Sequence, residues 1–178
     1  MEEKSDVFLT MLASFAQEES RSISSNIRLA IRNRMKEGTQ KIPTNALYGY
    51  DTDDEGNMVV IEGEAEVVQT IYRKFVQGIH PADIAESLND EGITTVMGYP
   101  WGSSTIKNIL RNEKYNCGDV IMQKTSMVDY LTHKTKKNEG EMDQFYIKDH
   151  HDVIISREIW EIAQDRWIYG NRTGTGQR

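Results

Sequence analysis

Ser20, Ser22, Ser24 and Ser25 crowd into one short stretch beside Arg21 and Arg28, an arrangement that invites a nucleophile. No histidine or carboxylate is placed to act as its base, and serines on a helix surface are commonplace. His150 and His151, flanked by Asp149 and Asp152, have the chemistry of metal ligands. Neighbouring side chains on an extended segment point to opposite faces, so a shared ion is awkward, and a loop pair capping the last helix or facing solvent is the simpler reading. Cys117 is the only cysteine. It excludes an internal disulfide and a multi-cysteine zinc site, and reads as a small buried hydrophobe near the start of a strand. The acidic run Asp51–Asn57 fits poorly the pattern of a calcium loop, alternating carboxylates with a closing bidentate glutamate, and reads as a solvated turn. Asn171-Arg172-Thr173 fits a glycosylation pattern, but without a secretory signal the match carries no meaning. No glycine loop is built to cradle phosphate. These residues give no catalytic residue, no metal site and no cofactor.

Binding chemistry is better represented. Ser104, Lys107, Arg111 and Lys114 recur at i, i+3, i+7 and i+10, which puts them on one exposed helical stripe. Ser103 precedes them as an N-cap. Lysine and arginine there would contact phosphates, Arg111 has the fork for a guanine edge, and Asn108 the amide for adenine.

The charge distribution supports that chemistry locally and opposes it on average. The 178 residues carry 21 basic and 28 acidic side chains, a formal charge of −7, which taken alone argues against nucleic acid. Charge is segregated, however. Residues 51–66 hold seven carboxylates and no base. Residues 21–41 hold Arg21, Arg28, Arg32, Arg34, Lys36 and Lys41 against Glu37 alone, and residues 103–137 hold seven bases against three acids. Two basic islands lie in an acidic body. No run of 18 apolar residues is present to span a membrane, and the acidic, then amphipathic, N-terminus is unlike a signal peptide.

The elements that must position these groups read as mainly α with a small β element. A long helix is expected over 5–37, roughly 50 Å, ending at Gly38. Its first half is apolar nearly all round, with Phe8, Met11, Leu12 and Phe15 prominent, and so demands a partner, most simply a second copy. Its second half narrows to Ile23, Ile27, Ile31 and Met35, of which Ile23 and Ile27 face away from the basic side of Arg21, Arg28 and Arg32. We divide the chain into a helix arm (1–37), a linker (38–47) around Pro43, a domain (48–170) and a disordered tail (171–178). Within the domain, two short extended pieces flank the acidic turn. Apolar periodicity then predicts helices over 64–77, 81–91 and 104–113, the second opened by Pro81 and the first two closed by Gly78 and Gly92. Three helices of which the last is basic form a helix-turn-helix arrangement, although residues 92–102 make a far longer turn than such motifs use. CGDVIMQKT predicts a strand, LTHKTKKNEGEMDQ a mobile connection, FYIKD a partner strand, and 157–169 a final helix with Ser156 as N-cap and Ile159, Trp160, Ile162, Ala163 and Trp167 as its apolar set.

Five ordered blocks, LASFAQEESRSIS, YGYDTDDEGNMVVIEGEAEVVQTIYRKFVQG, IAESLNDEGITT, WGSSTIKNILRNEKYNCGDVIMQKT and HHDVIISREIWEIAQ, together resemble the large serine recombinases, the site-specific integrases and transposon recombinases. The resemblance covers roughly residues 8–167. It implies that the long helix leaves a catalytic domain, dimerises through Phe8, Met11, Leu12 and Phe15, and lays Arg21, Arg28, Arg32, Arg34 and Lys36 across the minor groove. It implies that the remaining domain binds half of an attachment site on double-stranded DNA, with 81–113 as its helix-turn-helix, in a cytoplasmic bacterial or mobile-element protein. In that family the attacking serine and its arginines lie in an N-terminal domain, and a four-cysteine zinc ribbon usually follows. The chain is therefore expected to be a fragment that does not cleave DNA alone. Two rivals are a helix-turn-helix transcription regulator and a protein-interaction module that docks through the apolar helix; charge reversal of Lys107 and Arg111 separates them, since the interaction module would show no DNA phenotype.

Overall fold

A computed structural model describes residues 2–116, 118–129 and 134–173, with Cys117 outside them. The chain divides into two compact units, Met1–Gln40 and Lys41–Arg178.

The first unit is one helix, α1 (Glu2–Glu37). Uninterrupted good helix formers carry it, and Arg34 and Lys36 in its last turn complement the negative end of the helix dipole. It ends where the Gly38 N–H reaches the Met35 carbonyl (3.3 Å) and the Thr39 N–H the Arg34 carbonyl (2.9 Å). Within the unit Val7, Phe8, Met11, Leu12 and Phe15 all stand exposed, Phe8 by 62%.

The second unit opens inside the segment assigned by composition to the linker. Thr44 and Leu47 are buried, and the Thr44 and Thr52 hydroxyls lie 2.7 Å apart. β1 (Tyr50–Thr52) and β2 (Met58–Val60) pair antiparallel, Tyr50 opposite Val60. The acidic turn between them is held by Asp53, whose carboxylate accepts from the Asn57 N–H (2.7 Å) and side-chain amide (3.0 Å). Those hydrogen bonds hold the Asp53 carboxyl below its ordinary pKa. α2 (Glu62–Val76), α3 (Pro81–Asp90) and α4 (Ser103–Arg111) follow. Their buried residues, Val68, Ile71 and Tyr72, then Ile84, Ala85 and Leu88, then Ile106, Ile109 and Leu110, are those the apolar periodicity selects. Lys74 of α2 bonds the Ser87 hydroxyl (2.6 Å) and pairs with Glu91 (3.5 Å), tying α2 to the end of α3.

Two tyrosines close the core. Tyr72 donates to the Ile109 carbonyl (3.0 Å) and Tyr115 to the Tyr48 carbonyl (2.7 Å), each fully buried, and burial raises both phenol pKa values. The last helix, α5 (Arg157–Thr173), adds Ala163 to this core, while Trp160 and Trp167 pack partly against it. Ser156 accepts from the Ile159 N–H at 3.5 Å, as a cap should. Ile159 and Ile162, expected in the apolar set, are 41% and 45% exposed and so are not part of the buried core. α5 also runs to Thr173, three residues into the segment expected to be a disordered tail; residues 174–178 lie outside the described residues.

β3 (Val120–Met122) pairs with β6 (Phe145–Ile147) as expected, Ile121 opposite Tyr146. The intervening segment is not simply a mobile connection. β4 (Thr125–Asp129) and β5 (Lys134–Lys137) form an antiparallel ribbon. Its base is fixed by Asn138, 4% exposed, whose amide donates to the Gln123 (2.8 Å) and Met142 (2.7 Å) carbonyls and whose oxygen accepts from the Gly140 and Met142 N–H groups.

Asp119 joins this region to α5. It is buried, takes a hydrogen bond from the Tyr146 hydroxyl, accepts from the Asp149 N–H (3.1 Å), and faces the Arg157 guanidinium (3.4 Å). The Tyr146 hydrogen bond, followed by the backbone donor and Arg157, holds its carboxyl below the ordinary range despite burial. A depressed folded pKa stabilises the fold above the unfolded carboxyl pKa, about 3.9. That contribution disappears as pH falls through the folded value. The urea midpoint of the protein should therefore drop between about pH 5 and pH 2, more steeply than that of Asp119→Asn. Parallel curves for the two proteins would remove Asp119 from the account.

Candidate nucleic-acid interface

α4 owes its position to Ile106, Ile109 and Leu110, which it buries against α2 and α3, leaving Ser104, Asn108 and Arg111 exposed on the opposite side. Lys107, half-buried, shares that side, and neither it nor the Asn108 amide has a partner among the described residues. The N-cap is Gly102, not Ser103; Ser103 is the first helical residue, and no side chain caps the helix. The helix N-terminus therefore keeps its partial positive charge and open N–H groups.

Two members of the expected stripe are placed differently from a simple helical wheel. Arg111 is exposed, but its guanidinium lies over the Trp167 ring of α5 at 5.6 Å. The stack fixes the side chain and leaves the guanidinium edges available for an anion. Lys114 is off the helix. Asn112 turns extended (φ −82°, ψ 115°) and its side chain caps a 3₁₀ turn, Glu113–Tyr115, by accepting from the Lys114 N–H (3.2 Å). Lys114 is half-buried there, and desolvation lowers its ammonium pKa, with Glu113 opposing.

The histidine pair has a structural place. His151 is buried, its Nε2 lies 2.7 Å from the Lys114 carbonyl, and its ring meets Tyr50 edge-on at 5.0 Å. Burial lowers its pKa, which favours the neutral ring. No cluster of three or more metal-ligating side chains occurs among the described residues, nor does any helix there have the length and apolarity to cross a membrane.

In the first unit, Arg21, Arg28, Arg34 and Lys36 are exposed along α1 and Arg32 is half-exposed. Arg34 is anchored by its Nε, which donates to Gln40 Oε1 at 3.2 Å.

One part of the surface beside α4 was not selected from residue types. The α3–α4 connection exposes Val96, Met97 and Tyr99, and between it and α4 lies a cleft of about 320 Å³ reaching Thr105, Asn108 and Asn112. The sequence signal was available in the unusual length of this turn and its lack of charge from Ile93 to Gly102.

A family model described as Recombinase matches residues 62–167. Among solved structures, the chain is similar to one described as an LSR–DNA complex, at 20% identity and a TM-score of 0.57, covering 85% of this chain and 39% of that one. It is also similar to a structure described under the sequence requirements of the Listeria innocua prophage attP site, at 21% identity and a TM-score of 0.52, covering 83% of this chain and 51% of that one. At these identities the likeness establishes a shared fold, and the chain spans about half or less of either solved chain's length.

Proposed function

Because this chain belongs to the Recombinase family, we propose that it is the DNA-binding portion of a serine site-specific DNA recombinase. The observation that carries the reading is the exposed side of α4, where Ser104, Lys107, Asn108 and Arg111 gather on a helix whose other side is locked into the core. In the major groove, Lys107 and the edge of Arg111 bind phosphate or guanine, Asn108 reads adenine, and Ser103 and Ser104 at the open helix end meet the backbone. Lys114, half-buried beside them, adds positive charge more than direct contact. On α1, Arg21, Arg28, Arg32, Arg34 and Lys36 follow the minor groove, while Phe8, Met11, Leu12 and Phe15 pair two copies. The partner is double-stranded DNA, the compartment the cytoplasm, and strand cleavage through phosphoserine belongs to the wider recombinase rather than to any group described above.

The apolar surface of α1 favours pairing, because so many large side chains on one helix stay wet in a single copy. The reading is tested by fluorescence anisotropy of a labelled duplex of about 40 base pairs, titrated at several salt concentrations. Affinity should fall linearly in log K against log salt, with a slope equivalent to several released counterions. Light scattering on the same samples should give a mass that rises toward a dimer with concentration. Absence of binding at low salt would defeat the DNA reading, and a constant monomer mass would defeat the pairing.

A further inference from the structure

The α3–α4 connection is built as a rigid projection. Thr95 and Tyr99 close its tip through the Thr95 N–H and hydroxyl, both donating to the Tyr99 carbonyl (2.9 and 3.0 Å), and the Tyr99 N–H donating to the Thr95 hydroxyl (3.2 Å). Its base is clasped by Asn89, which accepts from the Trp101 N–H (2.7 Å) and donates to the Trp101 carbonyl (3.0 Å). Trp101 itself is buried and meets Tyr48 edge-on at 4.9 Å. Such anchoring is more than a covalent connection between two helices requires.

The projection is also chemically unlike its neighbours. Ile93–Gly102 carries no charged side chain, and Met97 and Tyr99 are 66% and 70% exposed. The cleft behind them is lined by Asn108 of α4, whose amide has no partner among the described residues. An uncharged tip with Val96 and Met97 exposed offers no counter-charge to a phosphate. It suits the apolar group that the major groove displays, the 5-methyl of thymine, which lies next to the donor and acceptor edge that an asparagine reads.

We propose that this loop is a second reading element, in which Val96 and Met97 take thymine methyl groups beside the bases met by Asn108. The inference rests on the reading that α4 enters the major groove. It assigns part of the site preference to residues outside the helix, and to a contact that is insensitive to salt.

Duplexes selected from a randomised pool by the full chain provide the probe, with each thymine then replaced singly by deoxyuridine, which removes only the methyl group. Wild type should lose about threefold to fivefold in affinity at one or two positions. Val96→Ser and Met97→Ser should bind the thymine and uracil forms equally at those positions, with an unchanged salt slope and an unchanged circular dichroism spectrum. Met97→Leu should keep the discrimination. Selected sites indifferent to uracil, or serine variants that discriminate as wild type does, would overturn the loop's role while leaving salt-dependent binding in place. Failure of the wild type to select or bind any duplex would overturn the groove reading and the inference with it.

Discussion

Lys107→Glu combined with Arg111→Glu should lower duplex affinity about a hundredfold at about 0.1 M salt, and flatten the dependence of log K on log salt by about two. Each reversal removes one cation from a short helix and places a carboxylate where phosphate would lie. Neither residue is needed for the core, which α4 fills with Ile106, Ile109 and Leu110. Among the described residues Arg111 stacks on Trp167 at 5.6 Å, and the loss of that stack should cost about 0.5–1 kcal/mol of stability. A melting curve recorded alongside separates that cost from the loss of binding. The control is Lys136→Glu with Lys137→Glu on β5, which changes net charge equally on exposed positions outside α4, at the loss of the Lys136–Glu141 pair. If that pair weakens binding as much, the effect is one of overall charge and α4 loses its special place. A change below threefold from the α4 pair would remove it from the interface altogether.

The helical frame was legible because its causes are local. α2, α3 and α4 repeat apolar residues at helical spacing, Pro81 opens α3, and the glycines after α2 and α3 close them, so periodicity and punctuation agree. Features that depend on a distant partner were not. The lysine-rich segment after residue 130 has the composition of a loop, and its ribbon depends on Asn138, one buried amide serving groups at Gln123, Gly140 and Met142. Nothing in that residue's type announces burial. Ile159 and Ile162 show the converse error, since periodicity identifies an apolar side of a helix but not whether another element covers it.

The candidate interface was legible to the same depth. Ser104, Lys107, Asn108 and Arg111 share a side because helical spacing dictates it. Lys114 does not join them, because the stripe assumed three more residues of helix and Asn112 ends the helix by capping the next turn. The Arg111–Trp167 stack joins residues far apart in sequence and no spacing rule reaches it. The apolar loop was visible as an anomaly of length, but its rigidity lies in the Asn89 clasp and the burial of Trp101, both products of the fold.

Gly118 is a fragile point of the domain. Gly118 adopts φ +69°, and a Cβ built there falls inside van der Waals contact of the His151 carbonyl oxygen, with the Val153 side chain 3.4 Å away on the same side. The obstruction is backbone and cannot rotate aside. The approach is close because the Gly118 carbonyl accepts from the His150 N–H (2.8 Å), while His151 holds the Lys114 carbonyl and packs against Tyr50. Gly118→Ala must therefore move the His150–Val153 segment, release the 3₁₀ turn that follows α4, and open the tyrosine core beneath it. Gly92→Ala is the matched comparison: its φ is +72°, and an added Cβ meets nothing within 4 Å. That variant bears only the left-handed backbone penalty, about 1–2 kcal/mol. Gly118→Ala should cost on the order of 4 kcal/mol or more, since a buried clash adds to the same penalty. Urea unfolding of both variants measures the difference directly. Equal losses would mean that the His151 carbonyl yields freely and that this close approach does not hold the end of α4. A much larger loss at Gly118, accompanied by weaker DNA binding only where the domain is partly unfolded, would place residue 118 in the support of α4 rather than in contact with DNA.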